Sequence, residues 1–266
     1  MAFSIPKINY TGTIKEVTLG KGASAVSVGG EGCYPFYVFE GAMPRPPRIA
    51  FEVWDYEPED WPDWAIEPYR DVISDPVAWA KKSIGTYGAQ MIALLLKSAD
   101  PNGRNRAVEE VVATVRAVSD AVSVPLIVWG CANDEKDAAM LRSIAEVCEG
   151  KNVALGPVSD KNYKQIGAMA IGYGHTVIAS TPIDVNLAKQ LNILITDMGQ
   201  PLDRSGKLVS GSKRVVTDGL FAEAKDIVGG YSIVEAKDVD HAVALTEGCP
   251  IFAVGGGVEV RPLLKM

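Results

Sequence analysis

The residues able to do chemistry in this chain fall directly behind short apolar runs. Glu52 and Asp55 lie in "FEVWD". Lys97 and Asp100 follow "MIALLL", and Cys131, Asn133 and Asp134 follow "PLIVWG". Ser159 comes shortly after "VALG", while Thr181, Asp184 and Asn186 follow "TVIAS". In parallel α/β architectures, ligands meet the loops at the carboxyl ends of the strands. These side chains therefore belong to one polar rim of carboxylates, amides, hydroxyls and an ammonium. Such a set suits a polar, ring-shaped ligand or a docking surface better than a nucleophile working with a base. The chain has only two histidines, His175 and His241, so a Cys131–His dyad is disfavoured. His175 precedes a strand and belongs at the end opposite the rim. No catalytic residue is singled out. Asp55, Asn133, Asp184 and Asn186 are the candidate ligand-binding residues.

Several of these residues also have structural roles open to them. Thr181-Pro182-Ile183-Asp184 has the form of a capping box, which would satisfy helix amides. Asn133 or Asp134 can cap the helix that follows. Asp100-Pro101-Asn102-Gly103 is a turn signal.

The elements that position the rim alternate. A hairpin is expected from Ile14–Leu19 and Ala25–Val28 around Gly-Lys-Gly. The Gly-rich stretch Val28–Gly32 reads as a turn, because no helical pattern opens behind it. Strands are expected at Arg48–Asp55, Gln90–Leu96, Pro125–Gly130, Val153–Gly156 and Thr176–Ser180. Helices are expected between and after them. One starts at Asp75-Pro76, where Asp can cap and Pro suits the first helical position. Another carries Val108, Val111, Val115, Val118 and Val122 on one stripe. Continuous apolar strands imply a parallel sheet covered by helices. The first βα turn lacks Gly-x-Gly-x-x-Gly, which weighs against a dinucleotide fold.

Past "GQPLDR" (Gly199–Arg204) this period stops. "KRVVTDG" and "GGYSIVEAKD" read as a hairpin, followed by a helix at Val239–Glu247 and a strand at Val258–Leu264. The fold class is α/β, a partial or modified (β/α) barrel with parallel strands and a small α+β tail. The domains are residues 1–203 and 204–266.

Composition bounds the function. The 266 residues are 47% hydrophobic with a formal charge of −7, enough for a substantial core and contrary to a nucleic-acid surface. The amino terminus lacks a secretory pattern, and no apolar run approaches the roughly 20 residues of a membrane span. A cytoplasmic location is expected. Cys33, Cys131, Cys148 and Cys249 form no Cys-x-x-Cys pair, so neither a metal site nor a cluster is expected. The acidic, Trp-rich loop Tyr56–Glu67 reads either as a solvated lid or as a partner-contact surface.

Five segments, "VGGEGCYPFYVFEG", "FEVWDYEPEDWPD", "DPVAWAKKSIGTYGAQMI", "VWGCANDEKDAAML" and "STPIDVNLAKQLNILI", carry a resemblance. Through about Asp203 the chain resembles the small (delta) subunit of the corrinoid iron–sulfur protein of the acetyl-CoA decarbonylase/synthase system. The resemblance implies a (β/α)₈ barrel that caps cobalamin held by a large iron–sulfur subunit. It implies methyl transfer from a reduced pterin to cobalt and onward to acetyl-CoA, with no cluster ligands of its own. The likeness stops after the fifth βα unit.

From Ser205 to Leu264, "GKLVSG", "KRVVTDGLFAEAKDIVGGYSIVEAKDVDHAV" and "VEVRPL" are similar to the YCII-related (DGPF) family. That likeness implies a small ferredoxin-like unit that forms homodimers. Here Leu220 replaces the motif's proline, and the first strand and most of the first helix are absent. Of that family's acidic groups only Asp218 is left. The leading reading is a subunit in corrinoid-dependent methyl transfer. The alternatives are a dimerising, small-ligand YCII-like module, or a chimeric or truncated chain without competent activity.

Overall fold

The computed structural model describes residues 5–9, 11–198, 207–210, 213–218, 234–254 and 256–262. The chain divides into two compact units, Met1–Met198 and Gly199–Met266.

The first unit opens with an antiparallel hairpin, β1 (Val17–Leu19) and β2 (Val26–Val28). Five parallel strands follow: β3 (Ala50–Trp54), β4 (Met91–Leu95), β5 (Leu126–Trp129), β6 (Ala154–Val158) and β7 (Thr176–Ala179). They lie in the order β3-β4-β5-β6-β7. The intervening helices are the short α1 (Asp63–Ile66), then α2 (Pro76–Gly85), α3 (Val108–Ala121), α4 (Asp134–Val147) and α5 (Tyr163–Tyr173). The last helix of the unit, α6 (Val185–Met198), follows β7. Strictly sequential order has no reversal point of the kind that defines a doubly wound sheet. It is the order found along an arc of a (β/α) barrel.

Pairing register separates the two faces of the sheet. Val53, Leu94, Val128, Leu155 and Val177 lie side by side. They share one core with Trp79 of α2, Val111, Val115 and Val118 of α3, Leu141 and Ile144 of α4, and Ile166 of α5. The helices thus cover this one face, and Val111, Val115 and Val118 of the valine stripe are fully buried, with Val108 and Val122 half-buried at its ends. Each such side chain contributes about 1.5–3 kcal/mol by leaving water. Asp75 caps α2 as expected, accepting from the Val77 and Ala78 amides at 2.9 and 3.3 Å.

The opposite face carries Glu52, Ala93, Ile127 and Ala154 in one row, and Trp54, Leu95, Trp129 and Gly156 in the next. At its amino-terminal end the hairpin acts as a plug. Leu19 and Val26 seat against Met91 and Ala154, with Val28, Ala50, Ile127 and Ile178 around them. Asn152 fastens the plug. Its amide donates to the carbonyls of Thr18 at 2.9 Å and Gly20 at 3.1 Å, and its carbonyl accepts from the Thr176 hydroxyl at 2.9 Å. Asn152 sits in the left-handed region at φ +49°, which Asn tolerates better than most residues.

In the second unit, β8 (Lys207–Ser210), β9 (Val215–Asp218) and β10 (Gly257–Val260) form an antiparallel sheet in the order β10-β8-β9, with α7 (Val239–Leu245) before β10. This is the α+β pattern expected of the tail. β9 pairs with Lys207–Ser210; half of its expected hairpin partner, Gly229–Asp238, lies outside the described residues. Asp218 pairs through its backbone with Lys207.

Asn152→Ala should lower unfolding stability by about 1–3 kcal/mol, since two carbonyls and a hydroxyl lose their partner. In urea the midpoint should fall with the slope unchanged. An unaltered midpoint would mean that the plug is held by apolar contact alone.

Candidate functional site

The loops at the carboxyl ends of the parallel strands are sewn together pairwise. Asp55, at the end of β3, accepts from the Ser98 amide at 2.9 Å and from the Ser98 hydroxyl, joining the β3 and β4 loops. Asn105, in the β4 loop, accepts from Lys136 Nζ of α4 at 2.5 Å. Asp134, the first residue of α4, accepts from the Ser159 hydroxyl at 2.7 Å, joining the β5 and β6 loops. Finally the Ser180 amide donates to the Val158 carbonyl at 2.9 Å, joining the β6 and β7 loops. A polar pair at each step is what holds an open rim in shape where no apolar core reaches.

This stitching decides which of the expected residues face solvent. Asp55 is only 3% exposed and both its oxygens are engaged. Burial raises its pKa, while the Ser98 bonds pull it down. It therefore shapes the rim rather than offering a carboxylate to a ligand. Asn133 is half-buried and caps α4, accepting from the Lys136 amide at 3.0 Å. Asp184 and Asn186 are exposed, and Asp184 accepts from the Leu187 amide at 2.9 Å at the start of α6. Just before it, Ile183 stands fully exposed in the left-handed region at φ +58°. Asp55, Asn133 and Asp184 thus sit on strand-end loops and Asn186 in the first turn of α6, and of the four only Asp184 and Asn186 are exposed.

The β3 loop adds an aromatic ladder. Trp54 meets Tyr56 and Trp61 at ring-centroid distances of 5.7 and 5.4 Å, and Trp61 meets the buried Trp79 edge-on at 5.7 Å. Lys97 lies 5.7 Å from the Trp54 ring centre, and Glu52 accepts from the Trp54 indole at 2.5 Å. Trp61 is thereby packed inward, whereas Trp64 is 80% exposed.

One residue was not legible as a site residue. Asp137, inside α4, is 1% exposed and accepts from the Cys131 amide at 2.8 Å and the Cys131 thiol at 3.3 Å. A Cβ on Gly130 would fall onto this carboxylate, so the glycine after β5 is the sequence signal of the contact. Burial and the Asp137 charge push the Cys131 thiol up to about 11, which suits neither a nucleophile nor a metal ligand. His175 lies before β7, away from the rim. Its Nε2 is 2.8 Å from the Ala145 carbonyl, and burial lowers its pKa. Asp100 forms the expected turn, accepting from the Asn102 amide at 2.8 Å.

The family profile described as "CO dehydrogenase/acetyl-CoA synthase delta subunit" matches residues 16–204. The chain belongs to this family. The acetyl-CoA decarbonylase/synthase complex subunit delta of Methanopyrus kandleri is 36% identical over 196 residues, covering 71% of this chain and 48% of that protein. The subunit delta of Archaeoglobus fulgidus is also 36% identical, over 194 residues, with 70% and 43% covered. Subunit delta 1 of Methanosarcina thermophila is 34% identical over 204 residues, with 73% and 46% covered. The chain spans about half the length of these curated relatives. A YCII-related domain profile matches residues 188–266. It begins inside α6, further towards the amino terminus than the Ser205 start read from motifs. The two matches therefore share residues 188–204. No helix among the described residues is long and apolar enough to cross a membrane.

Thiolate reactivity follows the thiol pKa. Because Cys131 titrates near 11, its alkylation by iodoacetamide at pH 8 should be on the order of a hundredfold slower than that of an unperturbed thiol. The rate should climb steadily from pH 8 to 11. Mass mapping of the labelled cysteines checks this. Fast labelling of Cys131 at pH 8 would contradict the contact with an ionised Asp137.

Proposed function

We propose that this chain is a delta-type subunit of a corrinoid-dependent methyl-transfer assembly that makes or cleaves acetyl-CoA. In this reading the strand-end rim faces cobalamin carried by a large iron–sulfur subunit. Membership of the delta family over residues 16–204 carries the reading, supported by the polar rim that this segment builds.

The donor set fits the group. A corrin has apolar faces and a fringe of amide side chains. The rim offers the Asn186 amide and the Asp184 carboxylate at its exposed edge, the Asn133 amide further in, and the bare side chain of Ile183 beside them. When bound, cobalamin supplies the cobalt that takes up and gives away the methyl group. The work of this chain is to hold the fringe by hydrogen bonds, to lay Ile183 against an apolar face and to keep water away. Asp55, through Ser98, and Asp134, through Ser159, position the loops. They do not touch the ligand. The family's methyl donor, a reduced pterin, is assigned to the assembly rather than to a pocket of this chain.

The YCII match favours a second reading for the tail alone, in which the sheet β10-β8-β9 mediates homodimerisation. Sedimentation of the whole chain without any partner tests it, and a concentration-independent monomer would oppose it.

Asn186→Ala combined with Ile183→Gly removes two exposed contacts without emptying a core position. Association with a purified, cobalamin-loaded large subunit should weaken about tenfold, the equivalent of about 1.4 kcal/mol, with the melting temperature equal to or above that of the unaltered chain, since glycine accepts the left-handed backbone at 183. Equal affinity of the variant and the unaltered chain, or equal affinity with and without cobalamin, would contradict the proposed rim.

A further inference from the structure

Between β2 and β3 the chain makes a pinched loop. Its neck is the crossing of Gly32 and Ala42, where the Gly32 amide donates to the Ala42 carbonyl at 2.8 Å. Gly41 must be glycine, because a Cβ there would fall onto the Gly32 carbonyl. Inside the neck, two local bonds set the loop: Tyr37 amide to Tyr34 carbonyl at 3.0 Å, and Glu40 amide to Tyr37 carbonyl at 2.8 Å. Glu40 also accepts from the Ile8 amide at 3.0 Å. The loop is built rather than slack.

What it displays is apolar. Tyr34, Phe36, Tyr37, Val38 and Phe39 are all exposed, and Phe36 is 93% exposed. Phe36 is also held in the left-handed region at φ +68°. A bulky residue there is strained, and strain of this kind persists at functional sites, where the surroundings enforce it. Asparagine at position 36 would relieve both costs at once. A contiguous exposed apolar patch with enriched tyrosine and phenylalanine is the composition of an interface core.

The charges around the loop narrow the occupant. From Gly22 to Pro44 there is no Lys or Arg, and the loop is shouldered by Glu31 and Glu40. Anionic membranes and nucleic acids call for cations beside the aromatic groups, so both are disfavoured. The complementary surface is an apolar pocket with a basic margin on another protein. We propose that the loop 32–42 is a docking element, with Phe36 as its anchor, for such a pocket on the large subunit of the assembly. The identity of this partner rests on the reading under Proposed function.

The test compares the unaltered chain with Phe36→Asn, a residue that accepts a left-handed backbone. Association with the purified, cobalamin-loaded large subunit is measured by calorimetry, and the melting temperature and sedimentation of each chain alone are recorded. The expected result is at least a tenfold loss of affinity with a melting temperature equal to or above that of the unaltered chain. Equal affinity would overturn the docking role while leaving the functional reading intact. A melting temperature several degrees lower would make the loop a structural element and overturn the role as well. If the unaltered chain fails to bind, the functional reading falls and the named partner falls with it. Self-association abolished by Phe36→Asn, without large-subunit binding, would assign the loop to a second copy and overturn the proposal.

Discussion

The first unit depends on one constraint: a parallel ladder in sequential strand order, with its crossover helices packed on one face. That arrangement gives the face lined by Val53, Leu94, Val128 and Leu155 a complete cover. It leaves the other face to be closed by something that is not a crossover helix. At the amino-terminal end of the strands the β1–β2 hairpin does this with Leu19 and Val26, fastened by Asn152. At the carboxyl-terminal end the cover is different in kind. There the Trp54 ladder and a series of polar pairs, each linking one strand-end loop to the next, hold a rim in shape. One end of the sheet is thus a small hydrophobic core, and the other is a polar edge. The sequence of the strands sets this difference, since Ala50 and Met91 pair lowest on that face and Trp54, Leu95 and Trp129 lie in its highest row.

Much of this was legible because burial on both faces writes itself as unbroken apolar runs such as "MIALLL", and burial of one helix stripe writes itself as valines at helical spacing. Asp75-Pro76 announced its helix for reasons local to two residues. What stayed hidden depends on contacts between distant residues. Asp55 reads as a ligand residue until Ser98, 43 positions away, is seen to occupy it. Asp137 reads as an ordinary acidic residue in the first turn of α4. Only Gly130, kept bare for its carboxylate, hints otherwise. Lys207–Ser210 is short and flanked by Gly and Ser in the sequence, yet it is the middle strand of the tail's described sheet.

The relation between the two family likenesses also changes in detail. Motifs alone place a boundary after residue 203, as if two pieces met at a linker. The profile matches instead overlap across residues 188–204, and α6 runs to Met198. The last helix of the βα series is therefore claimed by both families.

The central claim is that the strand-end rim of the first unit faces a corrinoid on a partner. Amide hydrogen exchange of the full chain, with and without the cobalamin-loaded large subunit, tests it most directly. The account predicts slowed exchange in the loops 131–134 and 180–187, with the β1–β2 hairpin end of the sheet unchanged. Protection confined to the hairpin end, or no protection in either loop when the complex is formed, would contradict it.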